Sequence, residues 1–104
     1  MFPCSQGNLP TGVSKRRMHI FYSGRVQGVG FRYTVKGLTP GFELTGVVRN
    51  LPDGRVELVA EGDEQELIAF QKAVRDSGVG PLISKEEVGW SESENKFKGF
   101  EIVG

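Results

Sequence analysis

Residues 55–62, RVELVAEG, alternate along a strand, with Val56, Leu58 and Ala60 on one face and Glu57 and Glu61 on the other. A helix follows at once. Asp63 and Glu66 have the spacing of a capping box, with Asp in place of Ser or Thr. Leu67, Phe70 and Val74 form one stripe with Ala73 beside it, while Gln65, Glu66, Lys72 and Asp76 face water. A one-faced strand that runs into a one-striped helix must bury both faces against a common core. Upstream, FELTGVVRN at 42–50 reads as a second strand and LPDG at 51–54 as a turn, so the two strands predict a hairpin.

The remaining elements arrange themselves around this unit. RMHIFYSGRV, from Arg17, is β-branched and aromatic with interleaved polar residues and predicts a strand of roughly eight residues. From Phe31, FRYTVKGL predicts a helix of about two turns. Pro40 is expected to disfavour helical geometry at Thr39 and Gly41 to take a left-handed stop. DSGVGP ends the second helix, and LISKEEVGW and KFKGFEIVG read as two more strands joined by the polar loop SESEN. The order is βαββαβ plus a short extra C-terminal strand. That is an α+β, ferredoxin-like split β-α-β fold, an antiparallel-rich sheet with two helices on one face. Trp90 and the phenylalanines at 21, 42, 70, 97 and 100 are expected in the core. Glu86 and Glu87 read as solvated edge charges that discourage strand pairing.

Residues 1–15, rich in Gly, Pro, Ser, Thr and Asn, read as a flexible N-terminal tail, and 16–104 as one domain. Lys plus Arg and Asp plus Glu both number 13, so the formal net charge is zero, and a dominant non-specific grip on nucleic acid is not expected. No apolar run approaches a membrane span, and the N-terminus lacks a secretory pattern. The single cysteine, Cys4, cannot form an internal disulfide. The chain is accordingly expected in the cytoplasm, as a monomer with no nucleic-acid or membrane partner.

The chemistry concentrates in GRVQGVGFRYTV, residues 24–35, where glycines surround a strand end and Arg32 stands just beyond. Glycine accepts positive φ, so successive backbone N–H groups can converge on one ligand, and the helix start that follows favours an anion. A dinucleotide loop beginning at Gly28 and Gly30 would need glycine where Tyr33 stands, and no Walker-type Gly-Lys-Ser/Thr occurs nearby. QGVGFRYT shares Gly28, Gly30 and Phe31 with the RNA-recognition signature, but Gln27 and Val29 occupy its leading base and first stacking aromatic. His19 is the only histidine, with no Cys or His cluster beside it, so neither a metal nor a cofactor is expected. Phosphoryl transfer asks mainly for position and charge neutralisation, which an arginine fork and backbone donors can supply. Asn50 ends the second strand with an amide that both donates and accepts. If the first and second strands are neighbours, its end and the Arg32 loop share one rim.

The chain resembles the acylphosphatases over residues 17–104. GRVQGVGFRY is close to that family's first signature, and TGVVRNLPDGRVELVAEG to its second. The resemblance implies metal-free hydrolysis of the carboxyl-phosphate bond of small acyl phosphates to a carboxylate and inorganic phosphate. It implies that Arg32 binds the substrate phosphate, with backbone donors from Gln27, Gly28, Val29, Gly30 and Phe31, and that Asn50 orients the attacking water. Phosphate or sulfate would fit the same site. Val47 replaces the family's usual tryptophan, which implies altered packing or substrate preference. Pro40 and Gly41 interrupt the family's first helix at least two turns from Arg32, so the site is expected to survive, with KM raised if the helix loosens. The alternatives are a non-catalytic phosphate, nucleotide or RNA-binding module on the same fold, and an accessory domain of a larger carbamoyl-transfer protein. The free-standing length speaks against the last.

Overall fold

The computed structural model describes residues 15–103. Its elements are β1 (Lys15–Gly24), α1 (Phe31–Leu38), a 3-10 turn (Thr39–Gly41), β2 (Leu44–Asn50) and β3 (Val56–Asp63). They continue with α2 (Glu64–Asp76), a second 3-10 turn (Gly80–Leu82), β4 (Ile83–Glu92) and β5 (Phe100–Ile102). The five strands form one sheet in the order β4-β1-β3-β2-β5. Every neighbouring pair is antiparallel except β2 and β5. The expected tail and Cys4 lie outside the described residues, except for Lys15, which pairs opposite Asp63 in β1.

The period-two patterns set the faces. Met18, Ile20 and Tyr22 of β1, Val48 of β2, and Val56, Leu58 and Ala60 of β3 point to one side. There they bury with Phe31 and Val35 of α1 and Leu67, Phe70 and Val74 of α2. Both helices therefore cover one face, as the stripes predict. The other face carries rows that cross the sheet, such as Glu87–Phe21–Glu57–Arg49 and Gly89–His19–Val59–Val47. Polar side chains meet within and between those rows. His19 Nε2 lies 2.7 Å from Glu57 Oε2, and Arg49 Nε donates to Glu57 Oε1 at 2.5 Å.

The 3-10 turn replaces the expected left-handed stop. Thr39 keeps helical φ −62° and ψ −31° although Pro40 follows, and Gly41 is absent from the positive-φ glycines of the described chain. Thr39 is held because both its backbone N–H and its Oγ1 donate to Lys36 O, the latter at 2.7 Å, and Phe42 N then donates to Thr39 O at 2.9 Å. The capping box is also redirected. The Asp63 side chain makes no cap bond to α2, and Glu66 Oε1 accepts from Glu43 N at 2.9 Å, tying α2 to the entry of β2.

The expected C-terminal strand is shortened to Phe100–Ile102. The preceding segment folds over Glu61 instead. This carboxylate, 4% exposed, accepts from Arg17 Nε (2.9 Å), Glu94 N (2.9 Å), Ser93 Oγ (3.2 Å) and Lys96 N (3.3 Å). Trp90 is not in the core. It lies 37% exposed on the sheet's edge strand with Arg16 over its ring, because α2 leaves β4 partly uncovered. Phe21 and Phe97 likewise carry arginines, Arg55 and Arg17, on their faces. Glu86 is not a solvated edge charge: it stands beside Tyr22 on the helix side, half-buried, with Arg75 Nε 3.7 Å from its Oε1. Glu87 is exposed, as expected.

Candidate active site

β1 and β2 are not neighbours, because β3 lies between them. Both run antiparallel to β3, so they run parallel to each other, and their C-terminal ends reach the same rim. At that rim one row crosses three strands: Tyr22 and Asn50 both stand opposite Val56. Residues directly opposite share a face, so Asn50 points to the helix side, where Val56 is fully buried. Two strand spacings put Tyr22 and Asn50 about 10 Å apart at their Cα atoms. The Asn50 Oδ1 is buried and receives no hydrogen bond from a described protein group.

The glycine loop leaves β1 beside this row. Arg25 N donates to Leu82 O at 3.0 Å, and Val26 is buried beneath the loop. Gly28 (φ 75°) and Gly30 (φ 79°) take the left-handed conformation, and a Cβ added at either would meet nothing within 4 Å. The space next to both glycines is therefore open. Gly30 is also the N-cap of α1, with no side-chain cap, and the first helical bond is Thr34 N to Gly30 O at 2.9 Å. The N–H groups of Phe31, Arg32 and Tyr33 thus have no helical acceptor and face the loop end. No acidic residue stands in the first turn of α1 to satisfy them.

Side chains in the loop divide by role. Phe31 is buried with its ring 5.1 Å from that of Tyr22, fixing the start of α1 against β1. Val29 is 40% exposed. Gln27 points away from the cradle, its Nε2 donating to Leu51 O and Arg55 O across the β2–β3 turn. The arginines are the clearest electrostatic signal. Arg16, Arg17, Arg49, Arg55 and Arg75 each pair with a carboxylate. Among the described residues, only Arg25 and Arg32 do not, and these two bracket the loop. Sequence reasoning missed this, since pairing is set by cross-strand register.

Residues of the opposite face fall elsewhere. His19, Val47 and Arg49 all lie on the face without helices, away from Asn50, so Arg49 serves Glu57 rather than the rim. Val47, in the family's tryptophan place, packs in the Val59–His19 row and does not face the loop. Burial, and then the Glu86 carboxylate beside it, push ionisation of Tyr22 upward, so it stays a neutral phenol. Among the described residues no group of three or more His, Cys, Asp or Glu is arranged to hold a metal ion, and no helix is long and apolar enough to cross a membrane.

Backbone donors at the start of α1, with Arg32 in its first turn, suit a tetrahedral oxyanion, and on the same rim stands an amide acceptor that has no hydrogen-bond partner among the described residues. The chain is also similar to known proteins over most of its length. The acylphosphatase family model matches residues 18–102. An acylphosphatase of Trichormus variabilis is 44% identical over 89 residues, covering 83% of this chain and 84% of the relative. The crystal structure of an acylphosphatase from Bacillus subtilis superposes with a TM-score of 0.78 at 40% identity, covering 86% of this chain and 99% of that one. Full-length HypF, solved with phosphate and nucleotide bound, contains a similar segment at 28% identity and TM-score 0.75, covering 95% of this chain and 13% of HypF.

Proposed function

The chain belongs to the acylphosphatase family, and from that premise we propose that its loop and strand end divide the hydrolysis of small acyl phosphates between them. The first-turn N–H groups of α1, the backbone of Gly28 to Gly30 and the Arg32 guanidinium hold the three non-bridging phosphate oxygens. The guanidinium fork suits two of them at once. Asn50 Oδ1 accepts a hydrogen bond from the attacking water and sets its approach in line with the scissile bond. Water oxygen bonds to phosphorus as the phosphorus–acyl oxygen bond breaks; the carboxylate departs with its electrons, one water proton stays on the phosphate and the other passes to solvent.

A carboxylate leaving group is stable without protonation near neutral pH, its conjugate acid titrating at about 4. No general acid is therefore asked of the chain, which accounts for a site built on Arg32 and Asn50 without the remote His19. The observation that carries this reading is the meeting at one rim of a helix start without a side-chain cap, the arginine in its first turn and the Asn50 acceptor, neither side chain having a partner among the described residues. Inorganic phosphate and sulfate are expected to compete for the same donors. The proposal extends to a monomer acting in the cytoplasm, where the single Cys4 needs no disulfide partner.

The test is hydrolysis of benzoyl phosphate in EDTA by wild type, Arg32→Ala and Asn50→Ala. Turnover by wild type and loss of most of the rate in both folded variants supports the assignment. Survival of activity in Arg32→Ala overturns it. A folded wild type that binds orthophosphate through Arg32 without turnover would instead be a binding module.

A further inference from the structure

Gln27 lies in the loop but its side chain serves the opposite end of the site. Nε2 donates to Leu51 O at 2.8 Å and to Arg55 O at 2.9 Å. Those carbonyls mark the two ends of the β2–β3 turn, which closes on itself through Leu51 N to Arg55 O at 2.8 Å and Gly54 N to Leu51 O at 3.1 Å. Leu51 follows Asn50, and Gln27 precedes Gly28. One side chain thus links the covalent neighbours of the two halves of the rim, across the β3 strand that separates β1 from β2. The carboxamide suits the task, since its two N–H groups meet two carbonyls and no charge is placed at a half-buried position.

We infer that Gln27 is a positioning residue: it holds the phosphate loop at a fixed offset from Asn50. The inference rests on the roles given above to Arg32 and Asn50. The glycines at 28 and 30 add no side chain to brace the loop. The Arg25 N–Leu82 O bond fixes only its other end, toward the 3-10 turn that leads into β4. Without the Gln27 bridge the loop keeps its donors but loses its register with the water held by Asn50. Transfer should suffer more than anion binding.

The experiment compares Gln27→Met, which keeps the length and removes the donors, with Gln27→Glu, wild type and Arg32→Ala. Benzoyl phosphate hydrolysis and competitive inhibition by orthophosphate are measured across pH 5–8, a range of about three decades in proton activity. Folded Gln27→Met is expected to lose about 10- to 100-fold in kcat, the scale of a small misplacement of reacting groups. Its orthophosphate Ki should stay within about threefold of wild type, because Arg32 and the backbone donors remain. Gln27→Glu should recover activity relative to wild type as pH falls, since only the protonated carboxyl can donate to a carbonyl. Unchanged kcat in Gln27→Met, beside an inactive Arg32→Ala, overturns the inference alone. Retained kcat with KM and Ki raised together also overturns it, as does a Gln27→Glu profile parallel to wild type. An Arg32→Ala enzyme with the wild-type rate overturns the site assignment and this inference with it.

Discussion

Tyr22 and Asn50 stand opposite one residue, Val56, from its two sides, although 28 positions separate them in the chain. Tyr22 buries its ring against Phe31, the first residue of α1. The start of the helix is thereby placed by the same cross-sheet row that places Asn50. Packing at one end of the row and a polar acceptor at the other define the rim.

Asn50→Ala is expected to separate stability from activity. The buried Oδ1 receives no hydrogen bond from a described protein group, and an unsatisfied buried acceptor costs about 1–3 kcal/mol. Removing it should leave Tm unchanged or raise it, while the rate of benzoyl phosphate hydrolysis falls about 100-fold or more. A large fall in Tm would show that Asn50 is a structural residue.

Arg32→Lys should not substitute for arginine. A lysine keeps a point charge but loses the planar fork, so about a tenfold or greater loss of kcat/KM is expected. Arg32→Ala should lose about 3–4 kcal/mol of transition-state stabilisation. Steady-state kinetics with orthophosphate as competitor distinguishes the two, since only Arg32→Ala should weaken phosphate binding severely.

Gly30→Ala and Gly37→Ala are expected to move in opposite directions. Gly30 sits at φ 79°, where a Cβ is strained by about 1–2 kcal/mol, and it caps the helix start to which the phosphate donors are assigned. Stability and kcat/KM should both fall. Gly37 lies within α1 with no positive φ and open space around it, so alanine there should add about 0.5–1 kcal/mol by thermal or urea unfolding, with unchanged kinetics. Equal behaviour of the two would contradict the left-handed cap.

Glu61 should govern acid stability without touching catalysis. Burial by itself raises its pKa, but the amides of Glu94 and Lys96 and the Arg17 guanidinium outweigh burial and hold it below the ordinary range. The unfolded chain then takes up the proton first. Stability from this group is present above its unfolded value, about pH 4.3, and is lost as pH falls through the lower folded value. Glu61→Gln should cost about 3 kcal/mol at pH 7 and flatten the acid limb of a urea-unfolding series. Glu61 pairs with Thr45, five residues before Asn50 and about 17 Å along β2, so kcat of the folded variant should match wild type.

Much of the fold is legible in local pattern. Alternation in 55–62 selects Val56, Leu58 and Ala60 for the core, and the 3.6 period after Asp63 selects Leu67, Phe70 and Val74, because each side chain's direction follows from backbone geometry alone. The two-turn α1, the open glycine loop and the positions of Arg32 and Asn50 at element ends are likewise readable, since strand ends and turn residues announce themselves locally. Exits and caps were less secure. Thr39 stays helical before Pro40 because Lys36 O offers it two hydrogen bonds, and Glu66 turns from its own cap to Glu43 N, a partner 23 residues away.

What only the tertiary structure decided depends on which strands pair. Inserting β3 between β1 and β2 puts Tyr22, Val56 and Asn50 in one row and sets Glu57 within reach of both Arg49 and His19. The same pairing leaves Trp90 on an uncovered edge and brings Gln27 to Leu51 and Arg55. Local sequence specifies the face on which a residue lies, because side-chain direction repeats with the backbone. It does not specify the neighbour across that face, because strand order and register are chosen by the packing of the whole sheet. In this protein that choice leaves Arg25 and Arg32 without carboxylate partners among the described residues, and folds the segment before β5 over Glu61.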